Sequence, residues 1–244
     1  MPPSRTPLTP GRIIATAIAI ADRDGLDAVS MRTVAAQLDV VPMALYKHVR
    51  DKNALLGGMI DAVVAGYPEP PAALAWTEEL RWRILAARGE LGRHPWLRQA
   101  IETATRRTSA VLIYMNTLAG VFAAGNVSYD LTHYAMHALG HRIWGFSPEA
   151  FSTSEPDEEQ PDPQMLAAMA AAFPHIVAIA QSAATLNPSG ACDPDAEFVF
   201  TLDLLLDAFE RMHAEQWSST GRCAVRAHCN HKSARPLAAL AEKR

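Results

Sequence analysis

Tyr46, Lys47 and His48 stand side by side, with Lys52 one helical turn further on. A phenol, an imidazole and two ammonium groups set this densely can serve phosphate oxygens and base edges together. Met43 and Ala44, just upstream, add apolar surface suited to a thymine methyl. A second set is His133, His137 and His141, four residues apart. On a helix that spacing puts the imidazoles on one face, as in metal sites, with Glu102 or Glu149 as candidate carboxylate. Cys223, His228, Cys229 and His231 form a third group. Its spacing matches no structural zinc motif and reads as incidental residues of a tail. Each set has a plainer reading. The first can be a solvated helix face, and the second a mixture of pocket lining and interface histidines.

The elements around the first set decide its reading. Met31, Val34, Ala35 and Leu38 are spaced as one helix face, and Ser30 before them is a natural N-cap. Asp39, Val40 and Val41 break the period, and Pro42 suits the first position of a new helix, expected over Pro42–Val49. A capped helix, a three-residue turn and a short polar second helix make a helix-turn-helix, whose second helix lies in a DNA major groove. Arg32 opens the first helix and can reach a phosphate or a guanine edge. Tyr46 and Lys52 suit the backbone, and Met43, Ala44 and Lys47 the bases. Val34, Leu38, Val40 and Leu45 hold the two helices together, with Leu45 able to touch DNA at its edge. The DNA-contact set is therefore Arg32, Thr33, Pro42, Met43, Ala44, Leu45, Tyr46, Lys47, His48 and Lys52.

Helical period dominates elsewhere, and alternating strands are absent. Helices are expected near Thr9–Asp24, capped by Thr9 and ended by Gly25, and near Lys52–Ala65. Gly66 and the prolines at 68, 70 and 71 suggest a boundary. Further helices fall near residues 77–91, 95–104, 107–124, 128–146, 163–183 and 194–216, with Pro174 breaking the penultimate one. The Pro- and acid-rich stretch 147–163 reads as a mobile loop. The fold class is all-α. Residues 1–66 form a DNA-binding domain, 67–217 a helical ligand-binding and dimerisation bundle, and 218–244 a basic, poorly ordered tail.

Composition sets limits. Hydrophobic residues make up 49% and charged residues 20%, which supplies a core and argues against disorder. The net charge of −4 means that a nucleic-acid surface must come from local arrangement. No apolar leader and no run long enough for a membrane helix is present, so no membrane partner is expected. Three late cysteines fit a reducing cytoplasm.

From about Leu8 to Met59 the chain resembles the tetracycline-repressor family of bacterial regulators. The resemblance runs through GLDAVSMR, AAQLDVVPMALYKHV and DKNALL in order. It implies an all-helical homodimer with an N-terminal DNA-binding domain and a small-molecule-binding C-terminal domain. Asp39 stands where the family usually has Gly, a residue type that tolerates left-handed backbone. Met43 and Ala44 stand where a hydroxyl residue is frequent. Further on, ALGHRIWGFSPE is similar to the tetracycline-binding members. The similarity places His141 on their metal-binding histidine and Glu149 on a glutamate that holds a metal-bound water. It places Thr105 and Arg106 on pocket residues. Glu102 replaces a pocket histidine, and Arg83 and Ala87 replace an asparagine and a phenylalanine of the drug site.

The expectation is a ligand-responsive transcriptional regulator rather than an enzyme, a cytoplasmic repressor released from a palindromic double-stranded operator by a small molecule. The effector is expected between the helices carrying Trp82, Glu102 and His141, touching also Thr105, Arg106, Met136, His137 and Trp144. It would be planar or amphipathic, neutral or cationic if Glu102 faces the cavity unpaired. No cofactor is required, although a divalent metal can travel with the ligand on His141 and Glu149. Leu202, Leu205, Leu206 and Phe209 are expected in the dimer interface. The rival is an all-α metal-dependent enzyme built on His133, His137 and His141, which leaves the helix-turn-helix unexplained.

Overall fold

The computed structural model describes residues 7–104, 107–144, 168, 170–186 and 193–220. Among the described residues every regular element is helical. Helix α1, Pro10–Asp24, begins where the Thr9 hydroxyl accepts the Arg12 amide at 3.2 Å. It ends at Gly25, whose φ of 83° suits a residue without a Cβ. A short 3₁₀ turn, Leu26–Ala28, leads to α2, Met31–Gln37, then α3, Pro42–Leu45, and α4, Lys52–Val64. Ile13, Ala17, Val34, Ala35, Leu45, Leu55 and Met59 close the core of this first bundle.

Helix α4 has apolar residues all round its axis because it is packed on two sides. It lies against α1 and also against α7, Ser109–Ala124, and α6, Trp96–Thr103. Contact with α1 is close, since a Cβ on Gly58 would meet Ile14 Cδ1 at 2.8 Å. The second bundle adds α5, Trp76–Arg93, α8, Tyr129–Trp144, α9, Pro174–Leu186, and α10, Pro194–Ala214. Helix α10 packs on α8 and α5. The chain leaves its helix at Phe173 and restarts at Pro174, as a proline without an amide proton requires.

Two sequence expectations change here. Leu202, Leu206 and Phe209 face the interior of their own chain, and Leu205 is half-buried against it. The outward apolar residues of α10 are instead Phe200 and Leu204, 66% and 53% exposed. Four-residue spacing sets both stripes, so apolarity alone did not say which one looks outward. Ser218 to Thr220, expected in a loose tail, are pinned: Asp130 accepts the Ser219 amide at 2.7 Å, and Trp217 meets Tyr134 edge-on. The loop 147–163, the tail from 221 and all three cysteines lie outside the described residues.

Candidate nucleic-acid interface and ligand cavity

The helix-turn-helix is built from local rules. Ser30 Oγ accepts the Thr33 amide at 3.1 Å, and Thr33 Oγ1 accepts the Ser30 amide at 2.9 Å, a reciprocal capping box. Thr33 also donates to the Ala28 carbonyl at 2.8 Å, so its hydroxyl proton serves the cap and not a phosphate. At the other end of α2, Asp39 takes φ 55° and the Val40 amide reaches back to the Ala35 carbonyl at 3.0 Å. That is the left-handed C-terminal motif which glycine usually fills.

The second helix is shorter than Pro42–Val49. Regular α3 stops at Leu45, and the His48 and Val49 amides both close on the Leu45 carbonyl at 2.9 Å. Leu45 and Val49 are both buried and anchor this segment to the core. Leu45 is 0% exposed, which removes it from the DNA-contact set. Val41 and Met43 are 67% and 71% exposed, and Tyr46 is 48% exposed. Arg32, Pro42, Lys47, His48 and Lys52 are exposed and Ala44 is half-buried. The side chains of Arg32, Lys47, His48 and Lys52 have no hydrogen-bond or ion-pair partner among the described residues. Asp51 caps α4 by accepting the Ala54 amide at 2.7 Å; that bond, helped by Arg50, holds its carboxyl below the usual range. The cap sets Lys52 at the first residue of α4. Val41 and Arg50, outside the expected contact set, are also exposed beside α3, and Arg50 pairs with Asp51 at 3.0 Å.

Ligand-site expectations fare differently. Trp82 is half-buried on the outer side of α5, with Pro68, Leu74 and Leu85 in a shallow depression. Glu102 is exposed near the end of α6. Met136 is half-buried, and His133 and His137 are exposed with ring centroids 4.7 Å apart. Trp82, Glu102 and the α8 residues lie on three different helices, and among the described residues no cavity is lined by them together. The side chains of Thr105, Arg106, His141, Trp144 and Glu149 lie outside the described residues. Among the described residues no three His, Cys, Asp or Glu side chains meet to hold a metal.

A cavity of about 190 Å³ does open between α4, α5 and α7. Its wall holds Val64, Tyr67, Glu69, Arg83, Ile113 and Tyr114. Arg83 is 11% exposed and takes two carboxylates: Glu79 on Nε at 2.8 Å and Glu69 on Nη2 at 2.8 Å. Burial works against the guanidinium charge, and these carboxylates more than restore it. Tyr114 donates to the Arg83 carbonyl at 3.2 Å and meets Tyr67 edge-on, centroids 5.2 Å apart. Burial pushes both phenols well above their usual range, so each stays protonated. The Tyr67 hydroxyl is buried with no hydrogen-bond partner among the described residues. The pairing of Arg83 with Glu69, a loop residue 14 positions away, has no local signal in the sequence.

Polar contacts add to the packing of α4 on α6 and α7 between the bundles. Asp61 of α4 accepts the Ala110 amide at the start of α7, at 2.7 Å. Asp22 of α1 accepts Trp96 Nε1 at 2.6 Å and meets His94 Nδ1 at 2.8 Å.

Comparison with known proteins agrees with this architecture. A family model described as bacterial regulatory proteins, tetR family, matches residues 13–59. A second, tetracyclin repressor-like, C-terminal domain, matches residues 68–213. The HTH-type transcriptional repressor DrrR1 of Streptomyces coeruleorubidus is 41% identical over 103 residues, 40% of this chain and 38% of that repressor's length. The tetracycline repressor protein class G of Vibrio anguillarum is 27% identical over 215 residues, 86% of this chain and 97% of its own. The crystal structure of ActR from Streptomyces coelicolor in complex with actinorhodin superposes with a TM-score of 0.67 at 23% identity. It covers 86% of this chain and 99% of that one, and it shows the fold alone.

Proposed function

The chain belongs to the tetR family of bacterial regulatory proteins, a ligand-responsive DNA-binding transcriptional regulator, and from that premise we propose how its parts work. It is a cytoplasmic repressor, not an enzyme, that sits on a palindromic operator as a homodimer and leaves when a small molecule binds. Residues 1–66 read the duplex, 67–217 bind ligand and partner, and the basic segment from 218 is peripheral. Arg32, Tyr46, Lys47, His48 and Lys52 meet phosphates and base edges. Val41, Met43 and Ala44 supply apolar contact, and Pro42 sets the angle of α3. Phe200 and Leu204 supply the outward stripe for the partner subunit, since such side chains gain by leaving water.

The observation that carries this reading is α4. One helix has exposed Lys52 at its start and lines the cavity with Val64 at its end. At 1.5 Å per residue its 13 residues form a rod of about 20 Å between duplex and ligand. A ligand that favours one tilt of that rod shifts the population able to span two grooves, and only by its differential affinity for the two states. No cofactor is needed for duplex binding, so a chelator leaves it unchanged. A divalent ion enters only with a chelating ligand, through His141 and Glu149.

Duplex affinity of the full chain, followed across a salt series, tests the reading. Lys52→Ala should weaken binding to every sequence and reduce the salt slope by about one unit, the signature of one lost phosphate contact. An unchanged slope with relaxed sequence preference would move Lys52 to base reading. No salt-dependent binding at all would overturn the function.

A further inference from the structure

Resting on the cavity as the effector site, we infer that the effector is a small aromatic acid whose carboxylate takes the place of Glu69 on Arg83. The two partners of Arg83 are unequal. Glu79 lies one turn back on the same helix and is 24% exposed. Glu69 comes from the loop after α4 and is 76% exposed. A carboxylate already mostly in water loses little when it swings away. A buried guanidinium left without it would lose much, so the vacated Nη2 position needs another anion. A planar carboxylate matches the guanidinium fork better than any neutral group. The exchange keeps the charge around Arg83 unchanged, which a cationic ligand cannot do without leaving Arg83 against it.

The rest of the wall sets the size and kind of ligand. About 190 Å³ is a little more than a dry 150 Å³ cavity that admits benzene, so one aromatic ring fits. Tyr67 and Tyr114 present aromatic edges and faces to it, and Ile113 is apolar and 67% exposed. Tyr67 lines the cavity, while its hydroxyl is buried away from solvent. Glu69 is thus an internal stand-in for the ligand's carboxylate. Ala65 ends α4 and Glu69 follows four residues on, so the Glu69–Arg83 pair ties the loop after α4 to α5, and its exchange loosens that tie. The expected effector is therefore an acid, not the neutral or cationic molecule that Glu102 suggested; Glu102 is exposed elsewhere.

Benzoate, benzamide and benzamidine are near-isosteres of opposite or no charge, and their binding to the full chain by calorimetry tests this. Benzoate should bind at least about tenfold more tightly than benzamide, and benzamidine least. Glu69→Gln removes the internal competitor and should tighten benzoate by about tenfold while leaving benzamide unchanged. Arg83→Gln should erase the preference for the acid. Should Arg83→Gln fail to fold, Glu69→Gln still decides, because it alters a mostly exposed side chain. Equal binding of the three probes, preference for benzamidine, no binding of benzoate to either chain, or weaker benzoate binding by Glu69→Gln would each overturn the inference. Duplex binding measured on the same samples separates the cases: if it persists while the acid preference fails, only the effector class is wrong.

Discussion

The duplex-facing segment and the ligand cavity spend their polar groups in opposite ways. Around α3 the exposed Lys47 and Lys52 make no hydrogen bond among the described residues, on a frame held by caps within the segment itself. In the cavity Arg83, Glu69, Glu79 and Tyr114 are bonded to one another before any ligand arrives. A surface meant for a polyanion can wait unpaired because water solvates it. A buried charge cannot wait, so a ligand must exchange for an internal partner. The first arrangement is readable from adjacent residues, while the second depends on α4, α5 and α7 meeting.

The largest expected effect probes the frame. Leu45→Ala empties a fully buried site between α2 and α3 and should cost about 2–5 kcal/mol. Duplex binding should fall with it, while benzoate binding to the second bundle persists. Equal loss of both by calorimetry and duplex titration would show that the two regions do not fail separately.

The cavity bundle has its own weak point at the end of α7. A Cβ on Gly125 would lie 2.5 Å from Trp76 Cγ, and Trp76 is held against Phe122 and His213. Gly125→Ala should therefore destabilise by about 1–3 kcal/mol through overpacking, seen as a lower Tm with loss of near-ultraviolet tryptophan signal. An unchanged melting curve would mean that Trp76 moves aside freely.

Legibility in the sequence divides along the same line. Thr9, Gly25, Ser30, Asp39 and Pro42 marked ends and turns correctly because each acts on backbone within a few residues. The expected length of α3 exceeds the observed one because Leu45 and Val49, four residues apart and both buried, keep helical spacing through a segment that turns after Leu45. In the second bundle the helices were legible but their faces were not. Leu202 and Leu204 are equally apolar, yet one is in the core and the other outside. Likewise Trp82, Glu102 and His137 carry chemistry in the sequence and lie on three different helices, α5, α6 and α8. Arg83 became informative only beside Glu69.

A smaller effect sharpens the contrast from the duplex side. Ser30→Ala removes one half of the capping box and should cost about 1 kcal/mol. Duplex affinity should drop several-fold without change in salt slope, since no phosphate contact is lost. A changed slope would place Ser30 on the duplex.

The central claim, that the face around Met43 and Lys47 reads DNA as a symmetric pair, is tested most directly by selection of bound duplexes from a random library. The full chain should enrich an inverted repeat whose half-sites lie about one helical turn, or a multiple of it, apart. Lys47→Ala should relax preference at particular positions of each half-site. Enrichment of an asymmetric site, or the same enrichment by Lys47→Ala as by the natural chain, would contradict the account.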